Sequence, residues 1–89
     1  RPESFSLSQN FPNPFNPTTV IRFNLPKMEE VSLKVYDILG RQVALLLDER
    51  LAAGDHTITF DGRLLPSGVY LYVLRSQNRL ETRRMVLLK

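Results

Sequence analysis

Apolar side chains recur at every second position through most of this chain, and the helical period of about 3.6 residues is nearly absent. Ile21, Phe23 and Leu25 alternate with Val20, Arg22 and Asn24. Val31, Leu33 and Val35 alternate with Ser32, Lys34 and Tyr36, and Ile58 and Phe60 with Thr57 and Thr59. Val69, Leu71 and Val73 alternate with Tyr70, Tyr72 and Leu74. Towards the end, Leu80, Thr82, Arg84, Val86 and Leu88 share one face, while Met85 and Leu87 share the other. Each set predicts a half-buried strand.

Turn chemistry separates these runs. Pro26-Lys27-Met28-Glu29 closes the first long strand, and Asp37-Ile38-Leu39-Gly40-Arg41 reads as a tight connection in which Gly40 is free to take a positive φ. Ala53-Gly54-Asp55, Asp61-Gly62 and Pro66-Ser67-Gly68 mark three further turns, and Ser76-Gln77-Asn78 the last hairpin. The stretch Arg41 to Leu51 could hold a short helix, but strands flank it. A strand through Leu45 or Leu46 followed by a loop is the better expectation. About seven short strands at this spacing predict an all-β fold, an antiparallel sandwich of two sheets. No repeat, linker or low-complexity tract divides residues 1–89, so a single domain is expected.

The most distinctive run is Phe11-Pro12-Asn13-Pro14-Phe15-Asn16-Pro17. Pro12, Pro14 and Pro17 each lack a backbone donor and fix φ, and they push Phe11, Asn13 and Asn16 out of the helical region. The expectation is a stiff loop with Phe11 and Phe15 as buried anchors, each costing about 3–5 kcal/mol if cut back to Ala. Asn13 and Asn16 are expected to hold the turn. A loop both rigid and anchored points to a recognised shape more than to catalysis.

Composition narrows the chemistry. The chain has 89 residues, no cysteine and a net charge of +3. Disulfides, thiolate nucleophiles and thiolate metal sites are thereby excluded. No apolar stretch approaches the roughly 20 residues of a membrane-spanning helix. The beginning, Arg1-Pro2-Glu3-Ser4, has no signal-peptide pattern and no initiator Met, as expected of a piece of a longer protein. Arg75, Arg79, Arg83 and Arg84 gather near the end, but Leu80 and Glu81 interrupt them, so a solvated strand face is a better reading than a nucleic-acid platform. The single histidine, His56, shares the parity of Ile58 and Phe60 and has no nucleophile tied to it. Asp37, Asp55 and Asp61 fall at turns without the alternating spacing of calcium loops. The glycines are scattered one per turn, not gathered into a phosphate loop. No cofactor, metal or catalytic site is expected. Tyr36, Tyr70 and Tyr72 could stack on a sugar, but a packed tyrosine face is the more economical expectation, with no Trp present.

Taken together, Phe11 to Thr19 with Ile21-Arg22-Phe23 resembles the opening motif of type IX secretion system C-terminal sorting domains, type A. Val35-Tyr36-Asp37-Ile38-Leu39-Gly40-Arg41 is similar to their second motif, and Leu65-Pro66-Ser67-Gly68-Val69-Tyr70 to their third. Arg84-Met85-Val86-Leu87-Leu88-Lys89 is similar to their basic and hydrophobic terminal strand. The resemblance implies an immunoglobulin-like β-sandwich, not an enzyme, placed at the C-terminus of a cargo protein. It implies passage from the periplasm across the outer membrane to the cell surface or the medium, with a translocon, a shuttle and a sortase-type protease as partners. Proteolytic removal and surface attachment of the cargo are further implications. Two other readings stand beside it: an immunoglobulin-like assembly module of the flagellar hook-capping type, which shares the Pro-Asn-Pro-Phe-Asn-Pro start, and an accessory carbohydrate-binding module. The ending at Lys89, taken as a natural terminus, favours sorting.

An address of this kind must lie in a folded surface or in a strand that leaves one. The terminal strand from Leu80 to Lys89 is expected at a sheet edge, a template for strand addition to a partner. Arg83, Arg84 and Lys89 are expected on the recognition surface, with Val86 and Leu88 in the fold. Cleavage is expected before or near Ser4 to Ser8, where backbone should be accessible.

Overall fold

The structure, a computed structural model, describes residues 4–89. Among them are seven strands and no helix: β1 (Ser6–Leu7), β2 (Thr18–Leu25), β3 (Glu29–Asp37), β4 (Gln42–Leu51), β5 (Gly54–Asp61), β6 (Gly68–Arg75) and β7 (Leu80–Leu87). They form two sheets of order β1-β2-β5 and β4-β3-β6-β7, with every named pairing antiparallel. The chain changes sheet between β2 and β3, between β4 and β5, and between β5 and β6, as in immunoglobulin-like sandwiches.

The alternation in the sequence becomes the two inner faces. Leu7, Ile21, Phe23, Leu25 and Phe60 of one sheet meet Val31, Leu33, Val35, Tyr72, Leu74, Met85 and Leu87 of the other, all buried. Tyr70 sits at the start of β6, and its hydroxyl donates to the Pro66 carbonyl at 2.6 Å. This is the tyrosine corner of such sandwiches, which fixes the loop as it crosses between sheets.

β4, Phe11 and the stretch Ser4 to Ser8 differ from the sequence expectation. β4 runs unbroken to Leu51 with no helix and no early loop. Its pairing with β3 slips between Leu33 and Lys34 and again between Val35 and Tyr36, leaving Leu46 and Val43 as the extra residues of two bulges. Bulges shift the inside-outside parity, so the run Val-Ala-Leu-Leu-Leu shows no clean alternation although it is a strand. Phe11 is not an anchor: its ring is 79% exposed, and only its backbone is tied down, exchanging two bonds with Val20. Phe15 alone is the buried ring of the loop, tilted against Phe60 at 6.0 Å.

Finally, Ser4 to Ser8 is not a loose stretch, although Ser4, Ser6 and Ser8 are exposed. Phe5 and Leu7 are buried, and Ser6–Leu7 pairs with Phe23 and Asn24 of β2. The part of the cleavage expectation that falls before Ser4, on residues 1–3, lies outside the described residues.

Candidate recognition surface

The four motif segments, far apart in sequence, meet at one end of the sandwich. Each reaches it by a different local device. The β3–β4 turn is built on Asp37, whose Oδ1 accepts from the backbone of Leu39 at 2.9 Å and of Arg41 at 3.0 Å. Gly40 takes φ of 85°, which closes the turn with its N–H on the Asp37 carbonyl. The Arg41 backbone N–H, followed by its guanidinium and the Leu39 N–H, holds the Asp37 carboxyl below the usual carboxylate range against partial desolvation. The β5–β6 loop repeats the device: Asp61 accepts from the Arg63 backbone and pairs with its guanidinium, which lowers the Asp61 pKa.

Between these two turns lies an apolar groove of about 400 Å³, lined by Ile38, Leu39, Val43, Leu65, Pro66 and Val69 among others. Ile38 and Leu39 stand 72% and 74% exposed at its lip.

The end of the chain is woven into this pole. Met85 and Leu87 are fully buried, one edge of β7 pairs with β6, and the other edge is clasped by the proline-rich loop. Phe15 N–H donates to the Val86 carbonyl at 2.9 Å, and Leu88 N–H donates to the Phe15 carbonyl at 3.0 Å. Val86 N–H donates to Asn13 Oδ1 at 2.9 Å, and Gln9 Nε2 donates to the Arg84 carbonyl at 2.6 Å. Asn13 therefore holds the terminal strand, not its own turn, while Asn16 is exposed and has no side-chain hydrogen bond among the described residues. The clasp also occupies the edge that strand addition would need from Arg84 to Leu88.

The residues expected to be read as charges divide. Arg83 Nε donates to the Leu7 carbonyl at 2.9 Å, so this side chain ties β7 to β1 across the sandwich. Lys89 Nζ donates to the carbonyls of Arg63 at 2.6 Å and Leu65 at 2.9 Å, while its backbone N–H donates to Ser67 Oγ. Arg84 is exposed and carries no side-chain hydrogen bond or ion pair among the described residues. The roles expected of Val86 and Leu88 belong instead to Met85 and Leu87. Strand parity puts Val86 and Leu88 on the outer face, and Leu88 is 55% exposed.

Sequence reasoning missed the polar knot beneath the loop. Asn10 is buried; its N–H donates to Tyr72 Oη at 2.7 Å, and its Nδ2 donates to Thr19 Oγ1 and the Pro12 carbonyl. Thr19 Oγ1 donates to the same carbonyl, and Tyr72 Oη donates to the Ser8 carbonyl. Burial pushes the Tyr72 phenol up from its ordinary value, against the Asn10 N–H and Arg83, which pull it down. Only an Asn directly before the aromatic-proline run hinted at this. His56 stacks on Phe23 at 5.3 Å and bonds the Ala52 carbonyl, a packing role. Tyr70 and Tyr72 are buried, which removes two of the three rings from any sugar-stacking platform. Among the described residues, no cluster of His, Cys, Asp or Glu could hold a metal, and no helix is long and apolar enough to cross a membrane.

What converges at this pole, among the described residues, is two Asp-built turns, an apolar groove and the clasped end of β7. The sequence matches the family described as the secretion system C-terminal sorting domain over residues 9–88, nearly the whole chain and all four segments of the pole. The chain belongs to this family. No curated protein matches it. The sorting domain is a C-terminal sorting signal for type IX secretion, and its family is one of sorting signals, not of enzymes. It works with the type IX machinery on a cargo fused on its N-terminal side, which it directs to the cell surface or the extracellular space.

Proposed function

We propose that residues 1–89 act as one non-enzymatic module and that the export machinery reads it folded. The observation that supports this is the burial of Met85 and Leu87 beneath a two-sided clasp on β7. A tail held on one edge by β6 and on the other by Asn13 and Phe15 is presented as surface, not as loose peptide. In this reading, the cargo and domain cross the periplasm together, and a shuttle and translocon engage the folded domain. A sortase-type protease then cuts on the N-terminal side of Phe5. Arg83 and Lys89 secure β7 within the fold, and Arg84 is the member of the three that faces a partner.

A periplasm-directed fluorescent passenger fused ahead of residues 1–89 tests this in a bacterium with a working type IX system. The full fusion is expected in the medium or at the surface. The fusion lacking residues 84–89 is expected to stay in the periplasm with its sandwich unfolded. Retention of both fusions would refute a sorting role for the module.

A further inference from the structure

Strand β6 has a composition that its surroundings do not satisfy. Tyr70, Tyr72 and Leu74 point inward and are buried, while the alternate positions Val69, Leu71 and Val73 point out of the sandwich. A strand apolar on both faces is the pattern of one covered on both sides. Here only one side is covered by a second sheet; on the other, Leu71 and Val73 are half-buried among their neighbours' side chains and Val69 is exposed. The pairing register extends the apolar centre across the sheet. Leu71 lies between Tyr36 and Arg84, Val73 between Lys34 and Thr82, and Val69 beside Val86. Lys34 is flanked on its other side by Leu45, which is 52% exposed. Val69 also lines the groove at the pole, so the apolar surface continues around that end. The outer face of the other sheet is of the ordinary solvated kind: beside Val20 it presents Arg22, Asn24, Asp55, Thr57 and Thr59.

The cations on this face are also free. Away from it, Arg41, Arg63, Arg83 and Lys89 are bonded within the domain and Arg79 lies over the Phe5 ring at 5.8 Å, while Arg22 and Lys27 also have no side-chain bond among the described residues. Lys34, Arg50, Arg75 and Arg84 have no side-chain hydrogen bond or ion pair among the described residues, and two acids, Glu30 opposite Arg50 and Asp48 opposite Ser32, lie on the same face, so cations outnumber acids there. Two copies placed face to face would oppose like charges. The complement is a surface with an apolar centre and carboxylates around it.

We infer that the outer face of the β4-β3-β6-β7 sheet is the docking surface for a protein of the export machinery whose contact patch is apolar at its centre and acidic at its rim. The inference rests on the sorting function and names the partner's chemistry. The aliphatic centre supplies dry contact area, and Lys34, Arg75 and Arg84 set orientation and encounter rate.

The test compares exported passenger for the full-chain fusion, for Lys34→Glu/Arg84→Glu, and for Arg22→Glu/Lys27→Glu, which makes the same charge change elsewhere. Leu71→Thr/Val73→Thr removes apolar area while retaining side chains suited to a strand. Thermal unfolding of each purified domain confirms that the compared variants are folded. The two outer-face variants are expected to lose export about tenfold or more, the first because it sets like charge against the partner and the second because it removes apolar contact area. The control pair is expected to match the parent fusion. A photoreactive residue at Leu71 is expected to cross-link, during export, to a segment rich in Asp and Glu. Equal export of all the fusions, or equal loss from the control pair, overturns the inference, as does a cross-link to a second copy or to a basic segment. A parent fusion that never leaves the cell instead sinks the sorting reading itself.

Discussion

Phe11 and Phe15 occupy the same proline-rich loop, yet one ring lies in water and the other in the core. Phe15→Ala is expected to cost about 3–5 kcal/mol by urea unfolding, because it empties a site packed on Phe60 and Leu87. Phe11→Ala is expected to change stability by no more than about 0.5 kcal/mol, since the ring contributes little burial. Composition could not separate the two: both are Phe beside Pro, and only the pairing of Phe11 with Val20 turns its side chain outward. The knot of Asn10, Thr19 and Tyr72 was equally hidden, because its members are brought together by folding and no local pattern marks them. Tyr72→Phe removes an oxygen that bridges Asn10 N–H and the Ser8 carbonyl, and is expected to cost about 1–3 kcal/mol. It should also alter the alkaline limb of stability. The folded-state pKa of Tyr72 is raised, so the native state holds its proton longer than the unfolded chain. Stability is complete below the ordinary phenol value of 10.0 and falls as pH rises past it. Unfolding measured from neutral to strongly alkaline pH should show a shallower fall for Tyr72→Phe than for the parent chain.

Among the elements, those with clean alternation were legible in advance, and those that depend on a partner were not. β2 and β3 each set one parity against the core, and the sequence shows it directly, whereas β6 is apolar at both parities and only the fold shows that Tyr70, Tyr72 and Leu74 face inward. β4 hides its strand character because two bulges break the parity, an irregularity set by its pairing with β3. In β7 the basic run drew attention to Arg84 and its neighbours, but which of Met85 or Val86 faces inward follows from the register with β6. The clasp on β7 gives two expectations. Asn13→Ala leaves Val86 N–H without its partner, and exchange of that amide with solvent should quicken while the β3 amides are unaffected. Gly62→Ala would set a methyl group 3.2 Å from Leu87 and 3.4 Å from Phe15, a cost of about 1–3 kcal/mol by thermal or urea unfolding.

For the whole molecule, the fold class and the sorting role could be read from the sequence, since four motifs in order span the chain. Their convergence on one pole could not, because it depends on the chain crossing repeatedly between sheets. That convergence bears on how the signal is read. If recognition requires the clasped form of β7, the last six residues are necessary but not sufficient. The most direct measurement is export of the fluorescent passenger fused to the Asn13→Ala/Phe15→Ala domain, which keeps residues 84–89 unaltered. Circular dichroism of the purified domain would report its folded fraction. Export should fall in step with that fraction. Full export from a domain shown to be unfolded would contradict this account and make the terminal peptide itself the address.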